Sequence, residues 1–188
     1  MLLVDQAVKI WIKTHFTLDE SVDVFGQWFR LRFIENPGAA YGMELGGKYG
    51  KLILSLFRIF AVSLIGYYIF GKLLNRNTAK GIVLGFTLIF TGALGNIIDC
   101  AFYGLIFSES TFLEVAKIFP EGGGYGTFLH GKVVDMLYFP IINSHYPEWF
   151  PFVVGERFIF FSPVFNIADA YISVGVIYLL LFQHKRLK

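Results

Sequence analysis

The chain has 188 residues, 16% of them charged and 19% aromatic, with a formal net charge of +2. Soluble domains carry about 25% charged residues, so a surface this poor in charge cannot face water all round. These figures exclude a disordered chain, a coiled coil and a basic nucleic-acid-binding domain, and they describe one integral membrane domain, residues 1–188.

Met1–Phe16 comes first and is apolar apart from polar positions that include Asp5, Lys9 and Lys13. It reads as a partial span (1–16), because a full crossing takes about 20 residues. It also lacks the basic start and cleavage site of a signal peptide, so the native product is expected to begin upstream of Met1. In the next segment, 17–51, Gln27–Glu35 alternates Phe29, Leu31 and Phe33 with Arg30 and Arg32. That is the pattern of a half-exposed strand. It ends at Asn36-Pro37-Gly38 and predicts a small extracytoplasmic sheet.

Three long apolar segments follow: 52–71, broken only by Arg58; 81–103, charge-free up to Asp99; and 158–182, with Asp169 as its one charge. Each is long enough for a helix across a hydrocarbon core of about 30 Å. A helix is the expected form, since a lone strand leaves its backbone unpaired in lipid. The connector carrying Lys72, Arg76 and Lys80 and the tail carrying Lys185, Arg186 and Lys188 have no acids. By the positive-inside rule both are cytoplasmic, which puts 17–51 and 104–157 outside. Tyr146, Trp149, Phe150 and Phe152, beside Pro147 and Pro151, suit the headgroup region.

Cofactor and metal signals are sparse. Cys100 is the only cysteine and the four histidines are scattered, with no HExxH helix. No disulfide, Cys/His cage or cofactor motif follows, and a carboxylate-only site is the one metal reading left open. Glu121–Gly126 is glycine-rich but lacks the Lys-Ser/Thr of a phosphate loop.

Ionisable groups inside spans are costly and are functional candidates by default. Asn96-x-x-Asp99 and Asn166-x-x-Asp169 repeat one pattern, amide and carboxylate a turn apart on one helical face. Counted from Lys80 and Lys185, Asn96 and Asp169 both lie roughly 24 Å from the cytoplasmic charges, and Asp99 and Asn166 roughly 29 Å. Four polar groups should therefore converge near the outer edge of the hydrocarbon. A structural network between helices and a functional site both fit that pattern. Asp135, set between Val134 and Met136 in an external segment, reads as a turn or strand-end acid, or else as a partner for Asp169. Two carboxylates at low dielectric share one proton, which is the basis of two-carboxylate hydrolysis.

Five blocks then occur in order: Asp5-Gln6-x-x-Lys9, Asn36-x-Gly38-x-Ala40-Tyr41-Gly42, Gly92-x-x-Gly95-Asn96-x-x-Asp99, Val133-Val134-Asp135, and Phe165-Asn166-x-Ala168-Asp169. Together they resemble lipoprotein signal peptidase (signal peptidase II), a family of bacterial intramembrane aspartyl proteases, over most of the chain. The resemblance implies an all-α membrane protein: a four-helix transmembrane bundle, its first helix truncated here, with both termini cytoplasmic and a small extracytoplasmic β-sheet. It implies a multi-pass enzyme of the cytoplasmic (inner) membrane, active near the outer face, with no cofactor. The implied reaction is cleavage before a diacylglyceryl-modified cysteine in prolipoprotein signal peptides. The implied partners are those substrates and membrane lipids, not nucleic acid, and the enzyme is expected to be a monomer. Asp135 and Asp169 would be catalytic; Asn36, Gly38, Asn96, Asp99, Asn166 and Ala168 would line or support the site; Asp5 and Lys9 would hold the first helix.

The chain departs from the family pattern in three places. Cys100 stands where the family usually has Arg, and the connections from Asp99 to Asp135 and from Met136 to Phe158 are long. Arg58 either snorkels to the outer surface or brings its guanidinium across to pair with Asp99. The competing class, a small transporter or proton relay, predicts polar residues through the full membrane depth; here they cluster at one edge. A scaffold subunit would make the Asn-x-x-Asp pairs structural and leave Asp135 unexplained.

Overall fold

The computed structural model describes residues 1–37, 47–74, 78–140, 142–145, 157–160 and 163–186. Helix α1 covers Leu2–His15 and α2 covers Gly47–Tyr68, running on as a π-helical segment, Ile69–Leu73. Helix α3, Lys80–Ile98, continues through the π segment Asp99–Tyr103 to Gly104–Ile106, and α4, Ile167–Tyr178, continues to Gln183. Gly50–Leu73 and Lys80–Ile106, of 24 and 27 residues, are long and apolar enough to cross a membrane. Ile167–Gln183 is a shorter apolar helix.

Strands β1 (Ser21–Phe25), β2 (Phe29–Asn36), β3 (Val133–Tyr138) and β6 (Val164–Phe165) form one antiparallel sheet in the order β1-β2-β3-β6. Strands β4 (Ile142–His145) and β5 (Arg157–Phe160) pair as a second, two-stranded sheet. The alternation around Phe29, Leu31 and Phe33 does become a strand, and Asn36 ends it.

The expected span 158–182 is corrected. Arg157–Phe160 and Val164–Phe165 are strands, and the helix starts only at Ile167. Pro163 biases the residue before it away from helix, and Asn166 then caps the first turn. Its side chain accepts from the Asp169 backbone, and Asp169 reaches back to the Asn166 N–H in a capping box. Asn166 and Asp169 thus make a helix start, not two positions on a helical face. The boundary of 17–51 also shifts, since α2 begins at Gly47.

Helices α3 and α4 pack closely. A Cβ added at Gly92 would run into the Ala168 carbonyl oxygen, and one at Gly95 would meet the Asp5 carboxylate and the Ala168 methyl group. The sheet closes over the helix ends through a core of Ile12 and Phe16 from α1, Phe33 from β2, Tyr103 and Phe107 from the end of α3, Ala116, and Val134 and Met136 from β3. Val134 and Met136 are fully buried, so the strand between them is anchored on its apolar side. Asp135 points to the other side.

Candidate active site

Asp135 is buried in the middle of β3, opposite Ile34 of β2. One of its oxygens accepts from Asn166 Nδ2 at 2.6 Å and the other from Asn36 Nδ2 at 3.4 Å. Asp169 is half-buried in the first turn of α4. Its Oδ1 accepts from Asn96 Nδ2 at 2.7 Å, and its Oδ2 accepts from the Asn166 N–H at 3.4 Å. Asn166, fully buried, joins the two acids: its Nδ2 serves Asp135 and Asn96 Oδ1, while its Oδ1 receives the Asp169 N–H at 2.9 Å. Burial first, and then the charge of Asp169 beside it, push the Asp135 carboxyl up to about 7, against the pull of its bonds to Asn166 and Asn36. One acid is therefore inclined to keep a proton near neutrality, while its neighbour is only half-buried.

Beneath this pair lies a buried ammonium. Lys9 Nζ contacts Asp99 Oδ2 at 2.8 Å, Asn96 Oδ1 at 2.9 Å and Asp5 Oδ2 at 3.2 Å. Asp5 Oδ1 accepts the Ala168 N–H at 2.9 Å, tying α1 to the start of α4. Asp99 also accepts from Gln6 Nε2 at 3.0 Å and from the Val134 N–H at 3.3 Å, tying α3 to β3. Tyr103 donates to Gln6 Oε1 at 3.2 Å. Buried charges are tolerated when paired and hydrogen-bonded throughout, and the Lys9 ammonium meets three oxygens. The network brings α1, α3, α4 and β3 to one point directly behind the two acids.

A family profile described as signal peptidase (SPase) II matches residues 1–185. The chain belongs to the signal peptidase II family. Among relatives, the lipoprotein signal peptidase of Porphyromonas gingivalis is 49% identical over 180 residues, covering 96% of this chain and 77% of that protein. The lipoprotein signal peptidase of Amoebophilus asiaticus is 33% identical over 177 residues, covering 93% and 70%. A bacterial membrane enzyme solved by the in meso method at 1.9 Å resolution shares the fold, with a TM-score of 0.61 at 24% identity over 96% of this chain and 84% of that one.

Within this chain, Asp5, Lys9, Asn36, Asn96, Asp99, Asp135, Asn166, Ala168 and Asp169 come together; Gly38 lies outside the described residues. The depth count matches Asn96 to Asp169 correctly. Asp99 turns away from its expected neighbour Asn166, because Lys9 and Gln6 offer it a cation and an amide. Gln6 and Tyr103 join the site as well, and Gln6 sits between Asp5 and Lys9 in the first block. Arg58 reaches from α2 to Cys100, with Nη1 3.7 Å from Sγ. Lys51 and Ser55, on the same side of α2, donate to the carbonyls of His130 and Leu129 at 2.7 and 3.3 Å.

A second polar cluster, which sequence reasoning missed, lies on the far side of the sheet. Lys13, fully buried, contacts Glu35 of β2 and Ser110 Oγ, the latter at 2.8 Å. Lys132 also reaches Glu35, at 3.0 Å, and Glu109, at 3.0 Å. The signal was available in the spacing: Asp5, Lys9 and Lys13 recur every four residues along one face of α1. Among the described residues no group of three or more His, Cys, Asp or Glu is arranged to hold a metal ion.

Proposed function

We propose that this chain is an intramembrane aspartyl endopeptidase that removes signal peptides from prolipoproteins, cutting before a diacylglyceryl-modified cysteine. Family membership supports the substrate. The observation that carries the mechanism is the Asn166 bridge between Asp135 and Asp169. It works in a multi-pass arrangement in a bacterial inner membrane, with the four helices α1–α4 in the bilayer, the sheet outside and the site near the outer face. It acts as a monomer.

The resting pair shares one proton, favoured on Asp135 because burial and the neighbouring Asp169 oppose its charge. Ionised Asp169 takes a proton from water as that oxygen bonds to the scissile carbonyl carbon. Asp135 donates its proton to the carbonyl oxygen, so the tetrahedral species forms without a full negative charge on that oxygen. Collapse returns a proton to Asp135, the departing cysteine amine takes the proton held by Asp169, and the C–N bond breaks. Asn96 and Asn166 hold both carboxylates in place through this exchange. The test is cleavage of a diacylglyceryl-modified prolipoprotein in membranes containing the purified chain. Cleavage at another bond, or equal cleavage of the unlipidated precursor, overturns the substrate assignment.

A further inference from the structure

We infer that Glu35, gripped by Lys13 and Lys132 on the face of the sheet away from the two acids, is a positioning residue that sets where Asp135 stands. This rests on the reading of Asp135 as one of the reacting acids.

Strand β2 pairs Leu31 with Leu137 but Ile34 with Asp135, so three residue steps on β2 run against two on β3. The extra residue is a bulge immediately before the position that faces Asp135. A bulge bends its strand and re-aims the next side chains, and a slip of one residue would turn every side chain to the other face. Something must hold β2 in place just after the bulge. Phe33 is held on the other edge, where its N–H donates to Glu20 O and its carbonyl accepts from Asp19. Past it, Ile34 and Asn36 stand on the face of Asp135, and Asn36 Nδ2 reaches that carboxylate. Glu35, opposite Val134, points the other way.

There Glu35 meets cations from two separate parts of the chain. Lys13 comes from α1, and its Nζ also lies 5.0 to 5.9 Å from the ring centroids of Tyr125, Phe107 and Phe33. Lys132 directly precedes β3. Ser110 donates to Glu35 at 2.9 Å, and the Lys132 N–H donates to Tyr125 at 2.7 Å. Ser110 and Tyr125 belong to the long connection between Asp99 and Asp135, so this connection helps close the grip. One carboxylate thus ties the bulged strand to α1 and to the residue three before Asp135.

The test is steady-state cleavage by Lys13→Met and Ser110→Ala, each normalised to folded enzyme, with Asp135→Asn alongside. Glu35 keeps Lys132 in the first variant and both cations in the second, so neither leaves it buried without a partner. A displacement of about 1 Å at reacting groups can cost up to 10²-fold. The expected result is a kcat about tenfold lower in Lys13→Met and several-fold lower in Ser110→Ala, with KM unchanged. Should Lys13→Met fail to insert, Ser110→Ala carries the test alone. Wild-type kcat in the variants that insert, or a raised KM at unchanged kcat, overturns the inference. If Asp135→Asn itself cleaves normally, the proposed mechanism fails instead.

Discussion

Asn166 donates its side-chain amide to Asp135 at 2.6 Å while its carbonyl oxygen caps the helix that begins with Asp169. One residue therefore does two separable things, ending a strand-to-helix turn and linking two acids. Asn166→Ser keeps an oxygen for the cap and loses the amide. It should leave the roughly 1 kcal/mol of the cap largely in place, cost about 1–3 kcal/mol for the donor lost to buried Asp135, and slow cleavage at least tenfold. Thermal unfolding in detergent beside a cleavage assay reads both effects; wild-type cleavage by Asn166→Ser would show that Asn166 acts only as a cap.

Asp135→Asn and Asp169→Asn keep shape but turn one acceptor oxygen into a donor and remove the carboxyl group that exchanges the proton. Each should abolish measurable cleavage while leaving membrane insertion intact. The double variant should be no worse than either single one, because residues acting as a unit are not additive. Near wild-type turnover by either variant would end the two-acid mechanism.

The pH dependence has a definite sign. Activity needs one proton on the pair, so the alkaline limb of kcat/KM should fall as Asp135 ionises, near pH 7. Stability shares that window. Between the ordinary carboxylate value of 3.8 and about 7 the folded chain holds a proton on Asp135 that the unfolded chain has released. That contribution to stability therefore declines as pH rises through the window. Asp135→Asn should flatten this part of the stability profile; an unchanged slope would mean that another group is responsible.

Lys9→Met should be among the most damaging single changes. It leaves Asp5 and Asp99, both fully buried, without their cation, and breaking a buried pair typically costs about 3–5 kcal/mol. Adding Asp99→Asn should recover part of the folded yield, because it removes one stranded charge. The readout is monodisperse protein after extraction. No recovery would show that Lys9 matters for more than charge balance.

Gly92→Ala tests the closeness of α3 and α4. The new methyl group meets the Ala168 carbonyl and Ile172, so the helices must separate, at a cost of about 1–3 kcal/mol. Asn96 should lose its grip on Asp169, and activity should fall more than stability. A variant with wild-type melting and cleavage would show that the contact can relax freely.

Composition and the placement of charge were enough to find two helices long and apolar enough to cross a membrane, and alternation to find strand β2, because burying apolar surface acts on every residue independently of its distant neighbours. Spacing from the basic ends matched Asn96 to Asp169, since rise per residue is a local property of a helix. Local sequence failed where two local forms competed. The run 158–182 is apolar enough for one long helix, but β3 offers Val164 and Phe165 a strand partner, and Asn166 caps a later start. The same holds for Lys13 and Glu35, separated in sequence and each unremarkable alone. Only the folded chain, by removing both from water on the far side of the sheet, makes each the other's necessary partner. Asp135 faces the site rather than the core because a one-residue bulge and the pairing of β2 with β3 set its side of the sheet. Such a choice between faces depends on contacts from distant chain segments, which no window of local sequence contains.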